Sequence, residues 1–252
     1  MNNEQYYLLL KIWIAFAIIL FPVLLSITAP YGRHSRKDWG PMIPNRLGWM
    51  IMELPSLVMF IVFFLAGPNP VYFVTLIFFL LYTIHYSNRA IIFPLRTRTS
   101  QKLMPLIIAV FAIFFNLVNG FINGYYFGTV SGGYDIEWLY DIRFIVGGLL
   151  FFMGMAINLK SDNVLLALRH SSRNGYSIPT GGLFKYISCP NFFGEILEWT
   201  GFAIMTWSPA ALAFAVWTIV NLVPRALDHH RWYRGNFSDY PPERKAVIPF
   251  VI

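Results

Sequence analysis

Charge is what this sequence has least of: 12% of its 252 residues are Asp, Glu, Lys or Arg, against about a quarter in an ordinary soluble domain. With 57% hydrophobic and 18% aromatic residues, that scarcity excludes a water-soluble globule. Cysteine is almost missing too. Cys189 alone closes no internal disulfide, no Cys and His residues show zinc-finger spacing, and His229 and His230 would point about 100° apart on a helix, so no metal site is assigned. No Gly-x-Gly-x-x-Gly follows a strand, and Gly128 to Gly133 has the wrong order, which excludes a Rossmann or P-loop phosphate cradle. A nucleotide would have to be held by side chains and helix ends. Repeats, low-complexity runs and soluble linkers are missing as well, so residues 1–252 read as one membrane domain. The first apolar segment lacks a basic n-region and is too long for an h-region, and reads as a retained span.

What is present is long apolar blocks, such as Tyr6 to Ala29 and Leu103 to Phe127, each long enough as a helix to cross a hydrocarbon core of about 30 Å. Backbone polar groups in lipid must be satisfied within the segment, so blocks of this length predict helices and an all-α integral membrane protein. Seven spans are expected near residues 6–28, 50–66, 70–88, 103–127, 139–158, 192–207 and 209–227. The last two form one apolar stretch broken by Ser208 and Pro209, which reads as a tight hairpin, with a kinked or re-entrant segment as the alternative.

The net charge of +7 informs through its distribution. The loop after the first span holds Arg33, Arg36, Lys37 and Arg46, that after the third Arg89, Arg96, Arg98 and Lys102, and that after the fifth Lys160, Arg169, Arg173 and Lys185. The tail adds Arg225, Arg231, Arg234, Arg244 and Lys245, leaving only Lys11 and Arg143 of the 19 basic residues elsewhere. The opposite loops carry Asp135 and Glu137 instead. By the positive-inside tendency the N-terminus lies outside and the C-terminus in the cytoplasm, and the basic balance points to this topology and not to nucleic acid. The partners expected are membrane lipids, and the chain is expected to be a monomer.

Ionisable groups at membrane depth are expensive and each is a candidate for function. Glu53 lies three residues into the second apolar block and is followed by Pro55; it reads as a functional acid or as an interfacial acid paired with an arginine. Tyr86 and Arg89, at i and i+3, end the third span, where a tyrosine is either a belt residue or a catalyst. Asn116, Asn119 and Asn123 make an amide stripe that either bonds neighbouring helices or lines a cavity. Asn158, Asp162 and Arg169 lie within about 40° of one another on a continuing helix. That face is a solvated surface, or one suited to a ribose and a phosphate. Asn191, Glu195 and Glu198 enter the sixth span at i, i+4 and i+7, and Arg225, His229 and Tyr233 end the seventh at i, i+4 and i+8. Two carboxylates at apolar depth demand hydrogen-bond partners, a ligand or a raised pKa.

Several of these residues sit in longer matching text: Asp141-Ile-Arg-Phe, Gly154 to Asp162, Gly181-Gly-Leu-Phe-Lys-Tyr, Asn191 to Trp199 and Asp239 to Phe250, with Glu53-Leu-Pro-Ser and His85-Tyr86 nearer the N-terminus. In order and content they resemble the steroid 5α-reductase family over roughly residues 45–252. The resemblance implies a seven-helix enzyme that reduces the 4,5 double bond of a 3-oxo-4-ene steroid with NADPH. It would have a substrate side mainly in helices 1–4 and a cofactor side mainly in residues 89–252. Carried over, Glu53 and Tyr86 would bind and polarise the 3-oxo group, while Arg89, Asn158, Asp162, Arg169, Tyr176, Asn191, Glu195, Arg225, His229 and Tyr233 would surround the dinucleotide. Two positions depart from the family pattern: Met52, where a glutamine is expected beside the glutamate, and Ser177, where an arginine often follows the tyrosine. The steroid would enter from the lipid and NADPH from the cytoplasm. Competing readings are a reductase of another enone or sterol, an isoprenylcysteine-methyltransferase-like enzyme using S-adenosylmethionine, and a transporter. The last calls for a polar path across the whole bilayer and commonly repeated halves.

Overall fold

A computed structural model of the chain describes residues 1–97, 102–171 and 176–252. Arg98 and Arg173, counted above among the basic loop residues, lie outside the described residues. The chain is mostly helical. Helix α1 covers Asn3–Ser26, strand β1 Met42–Pro44, α2 Asn45–Leu65, α3 Phe73–Ser87 and α4 Phe93–Arg96. Strand β2 at Leu103–Pro105 is followed by α5 at Leu106–Tyr125, α6 at Ile142–Ser171, α7 at Pro190–Thr206 and α8 at Pro209–Asn236. One turn of π-helix, Asn88–Ile92, runs α3 into α4, and another, Tyr126–Val130, extends α5.

Among the described residues, six helices are long and apolar enough to cross a membrane: Asn3–Ser26, Asn45–Leu65, Phe73–Arg96, Leu106–Val130, Ile142–Arg169 and Pro209–Asn236. The stretch expected as the sixth span forms helix α7, whose 17 residues fall short of the ~20 that a bilayer core takes. The break between α7 and α8 is a tight turn. Trp207 closes α7 in the left-handed region at φ 46°, the Ser208 hydroxyl accepts from the Ala211 N–H, and Pro209 opens α8 where its missing N–H costs nothing. Other boundaries differ from the apolar pattern. Residues 103–105 begin the fourth block as a strand that pairs antiparallel with residues 42–44, Ile43 opposite Met104. Helix α6 continues past Asn158, as the polar stripe there predicts, and runs unbroken to Ser171.

The chain divides into two compact units, residues 1–10 with 29–142 and residues 11–28 with 143–252, so that α1 contributes to both. In the first unit α2 and α5 run parallel in close contact. A Cβ built on Gly120 would lie 2.5 Å from the Ser56 carbonyl oxygen, and one on Gly124 2.6 Å from that of Phe60. Glycine at these positions lets the backbones meet, as is common for helices packed without a hydrophobic driving force. The Tyr6 hydroxyl closes the unit by donating 3.0 Å to the Ile122 carbonyl.

In the second unit α6 and α7 run antiparallel across an equivalent seam, Gly154 against Gly194 and Gly147 against Gly201. Trp13 packs on Trp217 with centroids 4.6 Å apart, and the Trp217 indole donates 3.1 Å to the Trp13 carbonyl. The tail after α8 lies along the segment before α7 through Lys245 N–H to Tyr186 O (2.9 Å) and Ser188 N–H to Lys245 O (2.8 Å).

Candidate active site

The first polar group is built by α2, α3 and α5 within the N-terminal unit. On α3, Tyr82 and Tyr86 are one helical turn apart, so their rings fall on one face and stack at 4.8 Å. Both are buried, Tyr82 completely and Tyr86 to 3% exposure. A buried phenol requires a partner, and α5 and α2 supply them. The Asn119 amide donates to the Tyr82 hydroxyl at 3.3 Å and to the Tyr86 hydroxyl at 3.4 Å, while Ser56 and Tyr82 share a 2.8 Å hydrogen bond. The Asn123 amide donates to the Asn119 side-chain oxygen at 3.3 Å. That contact fixes the orientation of Asn119, with its NH₂ toward the two tyrosines.

The amide stripe therefore divides its labour. Asn116 bonds a neighbouring helix, donating 2.6 Å to the Met52 carbonyl, whereas Asn119 serves the tyrosine pair. Glu53 is half-buried on α2, one turn before Ser56, and lies within electrostatic reach of the Tyr82 hydroxyl. The Arg89 guanidinium, carried on the π-turn, is buried over the Trp49 and Phe93 rings at 5.3 and 5.4 Å, a cation–π arrangement. Tyr82, Ser56 and Asn119 lie outside the set of site residues that the sequence assigns. Asn119 belongs to the amide stripe and Ser56 closes the Glu53-Leu-Pro-Ser motif, whereas the signal for Tyr82 is helical spacing alone, four residues before Tyr86.

The second group belongs to the C-terminal unit. Because Gly154 and Gly194 bring α6 and α7 together, Asn158 and Asp162 one and two turns on from Gly154 meet the start of α7. The Asn158 amide donates to the Asn191 carbonyl at 2.9 Å and to a Glu195 carboxylate oxygen at 3.4 Å, and the Asn191 amide donates to Asp162 at 3.1 Å. Four sequence-assigned residues thus form one hydrogen-bonded cluster, with Glu198 fully buried one turn further along α7. From α8, His229 stacks on Phe192 at 5.6 Å, next in sequence to Asn191, and Arg225 is buried one turn before it.

The other assigned residues have different neighbours. Tyr233 is buried in parallel stacking with Tyr240 of the tail, 5.3 Å apart and 6° from coplanar, and Tyr176 meets Trp232 edge-on at 5.3 Å. Arg169 is half-buried near the end of α6. Burial pushes the Tyr240 phenol above its usual pKa, partly offset by its hydrogen bond with Ser188 and the nearby Arg244 charge. Among the described residues no group of three or more His, Cys, Asp or Glu side chains converges as metal ligands would.

Chemically the two groups are distinct. The first presents phenol hydroxyls in a dry, amide-polarised setting, suited to donating a hydrogen bond to a carbonyl. The second is rich in carboxylate and amide acceptors with arginine nearby, suited to hydroxyl and phosphate groups of a nucleotide.

Residues 102–252 match the family described as 3-oxo-5-alpha-steroid 4-dehydrogenase. The steroid 5-alpha-reductase of Solanum lycopersicum is 44% identical, the alignment covering 93% of this chain and 93% of that protein. That of Arabidopsis thaliana is 42% identical over 91% of this chain and 90% of its own. The chain belongs to the steroid 5-alpha-reductase family. The similarity within that family extends to animals: human 3-oxo-5-alpha-steroid 4-dehydrogenase 1 is 38% identical over 88% of this chain and 85% of its own length. These alignments reach well beyond the residues of the family match, so membership rests on nearly the whole sequence.

Proposed function

We propose that this protein is a multi-pass membrane reductase that reduces the 4,5 double bond of 3-oxo-4-ene steroids to 5α-reduced 3-oxo steroids, using NADPH. The observation that carries the reading is the buried Tyr86 hydroxyl, set among the Asn119 amide and the stacked Tyr82 ring, a phenol at apolar depth that can donate a hydrogen bond to a carbonyl. When bound, the dinucleotide supplies the hydride.

Reduction of an enone at its β carbon builds negative charge on the carbonyl oxygen, and a donor placed there in advance is a large part of such catalysis. Tyr86 is that donor. Asn119 strengthens it, because a phenol oxygen that accepts a hydrogen bond becomes a better donor through its own O–H. Asn123 keeps Asn119 in the required orientation. Glu53 either orients the phenol as a carboxylate or donates to the 3-oxo group when protonated.

For NADPH, the fit lies in the donor set. Asp162, Glu195 and the Asn158 and Asn191 amides offer acceptors and donors for ribose hydroxyls and a carboxamide, and Arg169, Arg225 and Arg89 offer charge for phosphates. His229, Tyr176 and Tyr233 complete the assigned set. We also propose the seven-span topology, with α7 as a short sixth span, an external N-terminus and a cytoplasmic nucleotide side. The basic loops on that side would attract the phosphates. The steroid would enter from the lipid, and the protein would act as a monomer.

The test is binding and turnover in one preparation: purified protein with NADPH or S-adenosylmethionine, and a panel of 3-oxo-4-ene steroids, sterols and other enones. Binding of NADPH with 5α-reduced steroid as product supports the proposal. Binding of S-adenosylmethionine alone replaces it with a methyltransferase, and reduction of a different enone replaces the substrate.

A further inference from the structure

The tail after α8 is bound tightly along most of its length and then presents its most apolar residues outward. Ala246 and Val247 are buried with Cys189, Leu222 and Ala226 in one core cluster. The Ser188 hydroxyl meets Tyr240 at 2.6 Å and His230 at 2.7 Å. Past Val247 the chain folds into a closed turn: the Val247 and Ile248 N–H groups both donate to the Ile252 carbonyl, at 2.8 and 2.7 Å, and Val251 N–H donates to Ile248 O at 3.1 Å.

At the tip of the turn Phe250 adopts φ 65°, a left-handed conformation costly for a bulky L residue. The conformation holds the ring outward. Phe250 is 78% exposed and Val251 71%, and Phe250 lies 5.3 Å from the ring of Tyr186, which is also exposed. A flexible tail would fold such side chains away from water, whereas this one is fixed with them projecting.

Its position says what covers it. Tyr186 precedes the start of α7 by four residues, so the projection sits at the end of the α7–α8 hairpin opposite the Trp207 turn, where α8, a helix of membrane-crossing length, comes to its end. It lies outside every described helix long and apolar enough to span. The Lys185 ammonium lies 5.7 Å from the Tyr186 ring centroid, and Lys245 is exposed beside it in the bridge with Ile187. Exposed Arg234 lies at the end of α8, the exposed acids Asp239 and Glu243 precede Lys245 in the tail, and Arg231 is paired with Asp228. Apolar and aromatic side chains backed by lysines suit the boundary of an anionic bilayer, where rings enter the headgroup layer and ammonium groups meet lipid phosphate.

We propose that Tyr186, Phe250 and Val251 form a preorganised interfacial anchor docked in the headgroup layer of an anionic membrane, with Lys185 and Lys245 on lipid phosphates. The inference does not depend on the reductase reading; it requires only that the chain is inserted in a bilayer.

Cys189 is the only cysteine and is buried, so Phe250→Cys gives a single accessible thiol for an environment-sensitive NBD label on the whole chain in nanodiscs. Asn236→Cys, at the exposed polar end of α8, is the reference site. The anchor predicts blue-shifted NBD emission at position 250, quenched by lipids carrying a doxyl group near the headgroup, with both effects larger in phosphatidylserine discs than in phosphatidylcholine discs. Lys185→Glu with Lys245→Glu should abolish that difference between lipids. Water-like emission without quenching at position 250 overturns the proposal. So does a blue shift that doxyl lipids do not quench and that disappears at one protein per disc, which would place a second copy on the patch. Equal effects in the two lipids overturn the role given to the lysines.

Discussion

Replacing Tyr86 by phenylalanine removes one oxygen and leaves the packing almost unchanged. The ring is 3% exposed and stacked on Tyr82, so a phenylalanine ring would fill the same space. The Asn119 amide retains Tyr82 as an acceptor at 3.3 Å, so no buried donor is orphaned and the cost in stability should stay near 1 kcal/mol or less. The cost in rate should be far larger, because a single donor to a developing oxyanion is worth about 10²–10³ in kcat, or about 2.7–4 kcal/mol. Single-turnover reduction at saturating steroid and NADPH, beside the NADPH Kd measured by fluorescence, separates the two costs. The expected result is a loss of orders of magnitude in the chemical step with NADPH affinity and thermal stability close to wild type. Asn119→Leu should give a smaller loss, and its effect should shrink in the Tyr86→Phe background, since it acts through that hydroxyl. Wild-type turnover in Tyr86→Phe would remove the phenol from the mechanism. A full and additive Asn119 effect in the double variant would mean that Asn119 does not work through it.

Arg169→Ala should weaken NADPH binding roughly ten- to hundredfold, the scale of a lost charge-assisted hydrogen bond of about 1.5–3 kcal/mol, and an unchanged Kd would contradict the assignment. Asn158→Leu should strip hydrogen bonds from the Asn191 carbonyl and Glu195 together, lowering stability by about 1–3 kcal/mol as well as nucleotide affinity; a wild-type Tm would show the cluster to be incidental. Gly154→Ala drives a methyl into the α7 backbone and should cost at least about 1–3 kcal/mol. By contrast, a Cβ at Gly148 meets only the Met205 sulfur, 3.8 Å away, and Gly148→Ala should be neutral or stabilising. Thermal unfolding in detergent ranks the pair, and equal melting temperatures would refute the seam.

The helices were legible because lipid forces long apolar blocks and punishes every unsatisfied backbone group. The turn at Trp207 to Pro209 was legible because proline cannot continue α7. Strands at 42–44 and 103–105 were not, since a three-residue ribbon depends on a partner some sixty residues away. The run of α6 past Asn158 was legible, because Asn158, Asp162 and Arg169 keep one helical face after the apolar block ends. At the candidate site, the contact of Asn158, Asp162, Asn191 and Glu195 followed from helical stripes, but the close approach that permits it depends on Gly154 and Gly194 meeting, which spacing within one helix does not reveal. Tyr82 looked like an ordinary span residue for the same reason. Arg89 was readable as a cation near a membrane surface, but its seat over Trp49 and Phe93 required knowing which faces of α2 and α4 meet.

The most direct measurement is to incubate the purified protein with NADPH and a 3-oxo-4-ene steroid such as testosterone, and to determine the mass and ring-junction stereochemistry of the product. The expected product is heavier by two hydrogens, has the 5α configuration and forms as NADPH is oxidised. NADPH binding without any reduced steroid would contradict the substrate assignment, and failure to bind NADPH would contradict the reductase itself.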